Sequence, residues 1–222
     1  MKAEPLSFKQ PVCLVGGGAL NREMLEQALQ HAPALVAADG AADRLAGWGL
    51  RPDAIVGDMD SISDPDAWRR DDGHFIHLPE QETTDFGKCL YATEAPFYVA
   101  VGFTGRRIDH MLAVFSAMLG APDKTVVLLG EAEVVALVPP SGVTLALEPE
   151  AIVSVYPVAP VTGVRSEGLE WPIDGLAMEA GRRIGTSNRA TQAHVSLAFD
   201  RPGALLMLER RFLGALIDAV TA

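Results

Sequence analysis

Asp58 and Asp60 stand two residues apart in Gly57-Asp58-Met59-Asp60-Ser61, directly after the apolar run Ala54-Ile55-Val56. In an extended segment side chains repeat every second residue, so both carboxylates are expected on one side, roughly 6.5–7 Å apart. Two carboxylates facing one spot repel unless a cation lies between them. Hard oxygen donors suit Mg²⁺, which takes one or two carboxylates and fills its shell with phosphate oxygens and water. A solvated acidic turn after a strand has the same pattern, so the pair acquires meaning only from its company.

That company is polar and falls in equivalent places. Asp39 follows the apolar run Ala34 to Ala38, Thr83-Thr84-Asp85 opens a helical pattern, and Arg106-Arg107 and Asp109 lie between a strand signal and a helix signal. In an open α/β sheet, the loops leaving the carboxyl ends of the strands converge on one crevice. Mg²⁺ between Asp58, Asp60 and Asp85 would bridge phosphate oxygens and neutralise developing charge, which is the chemistry of phosphoryl-type transfer. Arg107 offers a planar fork of donors to a phosphate, or else pairs with Asp109. The Thr84 hydroxyl and the helix N–H groups behind it can bind an anion. Gly16-Gly17-Gly18 after the first strand gives either a backbone phosphate cradle around Gly17 or a plain tight turn. Asn21 replaces the third glycine of a dinucleotide fingerprint, which argues against a nicotinamide dehydrogenase, and the chain has no P-loop motif. The five histidines have no zinc spacing.

Alternating elements must position these groups. Short apolar runs at 12–15, 34–38, 54–56, 74–78, 97–103 and 125–129 read as strands. Helical patterns fill the gaps, with Asp64-Pro65 as cap and first turn, Thr83 or Thr84 capping a helix that buries Phe86, Cys89 and Leu90, and Asp109 opening one with Leu112, Phe115 and Leu119 inward. This is an α/β class chain with a doubly wound, mostly parallel N-terminal sheet. Near Pro139-Pro140-Ser141-Gly142 the pattern changes to β-type runs at 143–147, 152–156, 176–179, 193–199 and 204–208, closed by a short helix over 212–220. That predicts an α/β domain over 1–139 and a smaller all-β sandwich or barrel over 140–222.

Bulk properties narrow the class. The 222 residues are 49% hydrophobic and 21% charged with net charge −11, enough for a real core and a poor match for nucleic acid or an anionic membrane. No apolar run reaches the ~18 residues of a membrane span, and the first ten residues have no hydrophobic segment of a signal peptide. Cys13 and Cys89 cannot form a disulfide framework and are expected as buried apolar groups in a cytoplasmic protein.

Four stretches in order, Ala38-Asp39-Gly40-Ala41-Ala42-Asp43, Pro52-Asp53 through Gly57-Asp58-Met59-Asp60-Ser61, Gln81-Glu82-Thr83-Thr84-Asp85-Phe86-Gly87-Lys88, and Gly105-Arg106-Arg107-Ile108-Asp109, resemble thiamine pyrophosphokinases. Gly168-Leu169-Glu170-Trp171-Pro172-Ile173 and Gly185-Thr186-Ser187-Asn188 look like that family's thiamine-side segments. The resemblance spans about residues 12–208. It implies transfer of a diphosphoryl group from ATP to the thiamine hydroxyl, with Mg²⁺, in a homodimer. It gives Asp58, Asp60 and Asp85 to metal and phosphate, Asp39, Gln81, Thr84 and Arg107 to the ATP side, and Asp109, Trp171, Ser187 and Asn188 to thiamine. The chain departs from the family pattern at Gly40-Ala41-Ala42-Asp43, Met59, Glu82 and Arg106. None of these removes an implied ligand, although Arg106 adds a charge near the nucleotide. Two alternatives stay open: a diphosphokinase for another heterocyclic alcohol of pterin type, and a non-catalytic nucleotide- or thiamine-binding regulator.

Overall fold

The computed structural model describes residues 4–69, 74–105 and 107–222, so Arg106 lies outside the described residues. The chain forms two compact units, Met1–Ala117 and Met118–Ala222.

The first unit runs β1 (Leu6–Ser7), β2 (Val12–Val15), α1 (Arg22–His31), β3 (Ala34–Ala38), α2 (Ala41–Gly47), β4 (Ala54–Gly57), α3 (Pro65–Arg69), β5 (His74–His77), α4 (Asp85–Ala92), β6 (Thr93–Glu94) and β7 (Tyr98–Val101), followed by α5 (Ile108–Gly120). The strand order is β7-β2-β3-β4-β5, every pair parallel. Strands β2, β3, β4 and β7 are buried along their whole length, as unbroken Val, Ile, Leu and Ala runs require when helices cover both faces. Chain order moves outward from β2 through β3, β4 and β5, then returns to β7 on the other side of β2. The β2 and β7 carboxyl ends therefore flank the topological switch point, where ligands bind in such sheets.

Helix ends follow their residues. Asn21 caps α1 by accepting from the Met24 N–H at 2.8 Å, and Thr84 caps α4 by accepting from the Gly87 N–H at 3.2 Å. Helix α5 departs from expectation: Val114 and Met118 are its buried residues, while Leu112 is 59% exposed. Its sequence is apolar nearly all round, so periodicity could not select the inward face.

The second unit comprises β8 (Val126–Leu129), β9 (Glu133–Leu137), β10 (Val143–Ala146), β11 (Ile152–Pro157), β12 (Val161–Glu167), β13 (Ala177–Met178), β14 (Gly185–Arg189), β15 (His194–Phe199), β16 (Ala204–Glu209) and α6 (Leu213–Thr221). Two antiparallel arrays result, β14-β11-β16-β9-β8 and β10-β15-β12-β13. Helix α6 packs on β8, β9, β10 and β16. Antiparallel pairing already begins at β8–β9, upstream of the change in composition at Pro139.

Candidate active site at the strand ends

The site grows from the carboxyl rim of the parallel sheet. Asp39 leaves β3 with φ +45°, and Met59, between the two aspartates, has φ +66°. Both are sparsely populated conformations for residues with a side chain, which persist when surrounding structure imposes them. The expectation that Asp58-Met59-Asp60 continues as an extended segment is therefore corrected. A left-handed turn at buried Met59, rather than strand alternation, brings the carboxylates together. Asp39, Asp58 and Asp60 each place an oxygen within 4.8 Å of the others. Gly57 permits this approach, because a Cβ there would stand 2.8 Å from Asp39 Cβ.

Each carboxylate is held differently. Asp58 Oδ2 accepts from Gln81 Nε2 at 2.7 Å and from Lys88 Nζ at 3.0 Å. The Lys88 hydrogen bond, helped by Gln81, holds the Asp58 carboxyl below its usual range although burial opposes it. Lys88 lies inside α4 with its side chain 2% exposed. Burial alone would lower its pKa, but the Asp58 hydrogen bond and the Asp58, Asp85 and Glu80 charges raise it. Asp39 is 3% exposed, and its Oδ1 is the one buried side-chain polar atom without a hydrogen-bond partner among the described residues. Burial first, then the nearby Asp85, Asp58 and Asp60 charges, push its pKa up to about 6, against a hydrogen bond from Ser61. Asp85, half-exposed and 3.8 Å from Lys88 Nζ, is also raised, by burial first and by Asp58 and Asp60, with Lys88 opposing.

A cavity of about 750 Å³ collects Gly17, Asp39, Asp58, Asp60, Gln81, Thr84, Asp85 and Arg107. All eight residues that the sequence assigned to the metal and ATP side thus share one hollow. Asp109 is not among its lining residues; it binds the Arg107 guanidinium in two contacts of 3.1 and 2.5 Å, which hold the Asp109 carboxyl at about 2. A Cβ on Gly17 would meet nothing, whereas Cβ atoms on Gly16 and Gly18 would each stand 2.6 Å from the Gly102 carbonyl oxygen. The loop is pinned on both sides of Gly17 and open at it. Trp171, Ser187 and Asn188 form their own group in the second unit. Asn188 is buried, donates to the Trp171 carbonyl at 2.7 Å and accepts from the Trp171 N–H at 3.1 Å, while Trp171 itself is 53% exposed. Ser187 is exposed with φ +60°, and its N–H donates to Ser154 Oγ at 2.9 Å.

Three contributors escaped the assignment of roles from sequence. Lys88 was visible as a lone cation on an otherwise apolar helix face, three residues after Asp85. Glu80 accepts from the Glu82 and Thr83 N–H groups, the Thr83 hydroxyl and the Tyr91 hydroxyl, fixing the loop before α4. Arg44 donates to the Gly17 and Gly18 carbonyls at 3.1 and 2.9 Å, clamping the glycine loop. Neither of the last two carried a local signal. Cys13 and Cys89 are buried, and burial pushes the Cys13 thiol up to about 12 and the Cys89 thiol higher still. Both are inert packing groups.

Comparison with known proteins decides the lineage. Residues 25–128 match the family described as thiamin pyrophosphokinase, catalytic domain, and residues 142–203 match thiamin pyrophosphokinase, vitamin B1 binding domain. The chain belongs to the thiamin pyrophosphokinase family. It is 29% identical over 161 residues to thiamin pyrophosphokinase 1 of Caenorhabditis elegans, a match covering 66% of this chain and 65% of that one. It is 28% identical over 173 residues to thiamine pyrophosphokinase 1 of Arabidopsis thaliana, covering 68% and 62%. These matches therefore span less than two thirds of those relatives' own lengths. Crystal structures of thiamin pyrophosphokinases share the fold. The yeast protein superposes with a TM-score of 0.75 at 18% identity, covering 97% of this chain and 90% of that one. The Bacillus subtilis protein gives 0.71 at 20%, covering 90% and 98%. No helix among the described residues is long and apolar enough to cross a membrane.

Proposed function

We propose that this chain is a thiamine diphosphokinase that transfers the β,γ-diphosphoryl group of ATP to the hydroxyl of thiamine, yielding thiamine diphosphate and AMP. One observation carries the reading: in a member of this family, the acidic, hydroxyl and guanidinium groups suited to a metal-bound triphosphate all line one cavity at the switch point of a parallel sheet.

Asp58, Asp60 and Asp85 would hold Mg²⁺; the unpartnered buried Asp39 oxygen, clustered with those of Asp58 and Asp60, supports a donor set suited to a hard cation. When bound, the ion supplies a Lewis acid that neutralises charge on the phosphate oxygens. The chain's own groups do the rest. Thr84 Oγ1 already accepts from Gly87, so its proton remains for a phosphate oxygen. Gly17 leaves room for a phosphate to reach the loop backbone. Arg107, at the cavity lining, exchanges its Asp109 partner for phosphate charge. Asp85 or Asp58 accepts the alcohol proton, and Asp85 is the more basic because burial raises it while the Lys88 and Gln81 hydrogen bonds hold Asp58 down. Trp171, Ser187 and Asn188 serve thiamine, the indole face holding the cationic thiazolium ring. Ile108 and Leu112, one turn apart and 73% and 59% exposed, support a homodimer, and two buried thiols suit a cytoplasmic setting.

The test is incubation with ATP, Mg²⁺ and thiamine, with mass detection of thiamine diphosphate and AMP in equal amounts. AMP formed only with hydroxymethylpterin would assign the other alcohol. Nucleotide or thiamine binding without AMP would make the chain a regulator.

A further inference from the structure

The glycine loop after β2 lines the carboxyl-rim cavity with Gly17 and Gly18, and it keeps one donor unspent there. Gly16 donates its N–H to the Val101 carbonyl at 2.9 Å, Gly18 to the Gly102 carbonyl at 2.6 Å and Ala19 to the Thr104 carbonyl at 3.1 Å. The Gly17 N–H has no partner among the described residues. Gly17 is also exposed, and a Cβ there would meet nothing.

The loop carbonyls are turned to a different element. Arg44, on α2, donates from Nη2 to the Gly17 carbonyl at 3.1 Å and from Nη1 to the Gly18 carbonyl at 2.9 Å. It is half-buried and is not among the residues lining the cavity. The Gly17–Gly18 peptide is thus held at both ends, its oxygen on Arg44 and its N–H on Gly102. These contacts matter electrostatically. A backbone N–H attracts a phosphate oxygen and a carbonyl repels it. A glycine peptide turns over at little cost, because no Cβ restrains it. From this we infer that Arg44 is a positioning residue for the nucleotide: by drawing both loop carbonyls to α2, it leaves the Gly17 N–H as the donor that the loop presents to a phosphate oxygen. Arg44 acts through the loop and touches no substrate atom. The planar fork of the guanidinium spans two successive carbonyls, which a lysine ammonium serves only as a point charge. The inference deepens the diphosphokinase reading, which supplies the polyphosphate.

The experiment titrates α,β-methylene ATP, in which the bond broken by transfer is blocked, into the full chain with Mg²⁺. Affinity is read by calorimetry, and the amide signals by nuclear magnetic resonance of protein labelled at glycine nitrogen. In the unsubstituted chain the Gly17 amide, identified by its absence from Gly17→Ala, should move downfield on binding, further than that of Gly18. Arg44→Met should weaken binding roughly tenfold, the scale of one hydrogen bond to a charged group, and should shrink the Gly17 displacement at saturation. Arg44→Lys should restore part of both. Undiminished affinity in Arg44→Met overturns the inference. So does weakened affinity with the full Gly17 displacement, which would make Arg44 a general support of the fold, and so does an Arg44→Lys variant no better than Arg44→Met. Should Arg44→Met not fold, the unsubstituted chain decides, since a Gly17 amide that stays in place on binding, or an analogue that does not bind, overturns the inference. Thiamine diphosphate and AMP are assayed separately on the unsubstituted chain. Analogue binding with the Arg44 and Gly17 effects but without product would sink the diphosphokinase reading and leave this inference standing. Product formed with an unmoved Gly17 amide would do the opposite.

Discussion

The two rims of the parallel sheet carry cavities of similar size and opposite character. The amino rim has the larger hollow, about 870 Å³, lined in part by Lys9, Arg51, Asp53 and His74. The carboxyl rim has about 750 Å³. Size does not separate them; satisfaction does. At the amino rim Asp53 is used up by the fold: its Oδ2 accepts from the Leu35 N–H at 2.7 Å, and its backbone pairs with Leu35 and His74. At the carboxyl rim one aspartate is buried with an orphan oxygen, two residues sit at positive φ, and a buried lysine is turned toward the cavity's own carboxylates. Groups committed to architecture are saturated, while groups reserved for a ligand are strained or incomplete.

That contrast breaks if substitution on the two rims has similar consequences. The largest effect is expected from Asp58→Asn or Asp60→Asn, which should cut AMP formation by roughly 10³-fold while leaving the circular dichroism spectrum unchanged, because a cation ligand is lost rather than a core contact. Near-normal turnover at saturating Mg²⁺ would erase the distinction. Lys88→Met should destabilise the chain by about 3 kcal/mol in urea unfolding, since Asp58 keeps its charge with its closest cation gone. Its activity should fall as well, which no substitution confined to the opposite rim should reproduce.

The pH dependence sharpens the comparison. Asp39 binds its proton more tightly folded than unfolded, with a folded pKa of about 6. Ionising it therefore costs stability progressively from the ordinary carboxylate range up to about pH 6, and the full cost persists above. In chelator-treated protein, Asp39→Asn should be the more stable chain by about 2 kcal/mol at pH 7.5, with the advantage vanishing below about pH 4. Excess Mg²⁺ should shrink the advantage, because a cation beside the ionised Asp39 carboxylate stabilises the unsubstituted chain more than the variant. A pH-independent difference would mean that the carboxyl does not titrate as its burial requires. The smallest effect belongs to the amino rim: Asp53→Ala should cost about 1–2 kcal/mol through the unpaired Leu35 N–H and leave kcat and KM within twofold.

Much of this was legible from the residues. Unbroken apolar runs such as Val12–Val15 and Ala34–Ala38 could only be buried parallel strands, and that topology alone predicts where their trailing loops gather. The second unit was less readable. Strand β12 mixes Gly163, Arg165 and Ser166 into a half-exposed segment, and β14 is polar throughout, so neither shows the alternation that marks a strand. At the site, residue identities were visible but their conformations were not. Nothing local in Gly57-Asp58-Met59-Asp60 announces a left-handed methionine, because the tertiary setting imposes it. Lys88 appeared in the sequence as a charge, and only packing shows that its ammonium is aimed inward at Asp58.

Glu80 has a consequence for the timing of binding. One carboxylate gathers two backbone amides, a threonine hydroxyl and a tyrosine hydroxyl, which draw its pKa down to about 2, with the Thr83 hydroxyl the leading influence. The segment leading into α4 is thus shaped before any phosphate arrives. A polyanion meeting Thr84 forfeits little chain freedom there, so the entropic toll of capture was settled when the protein folded.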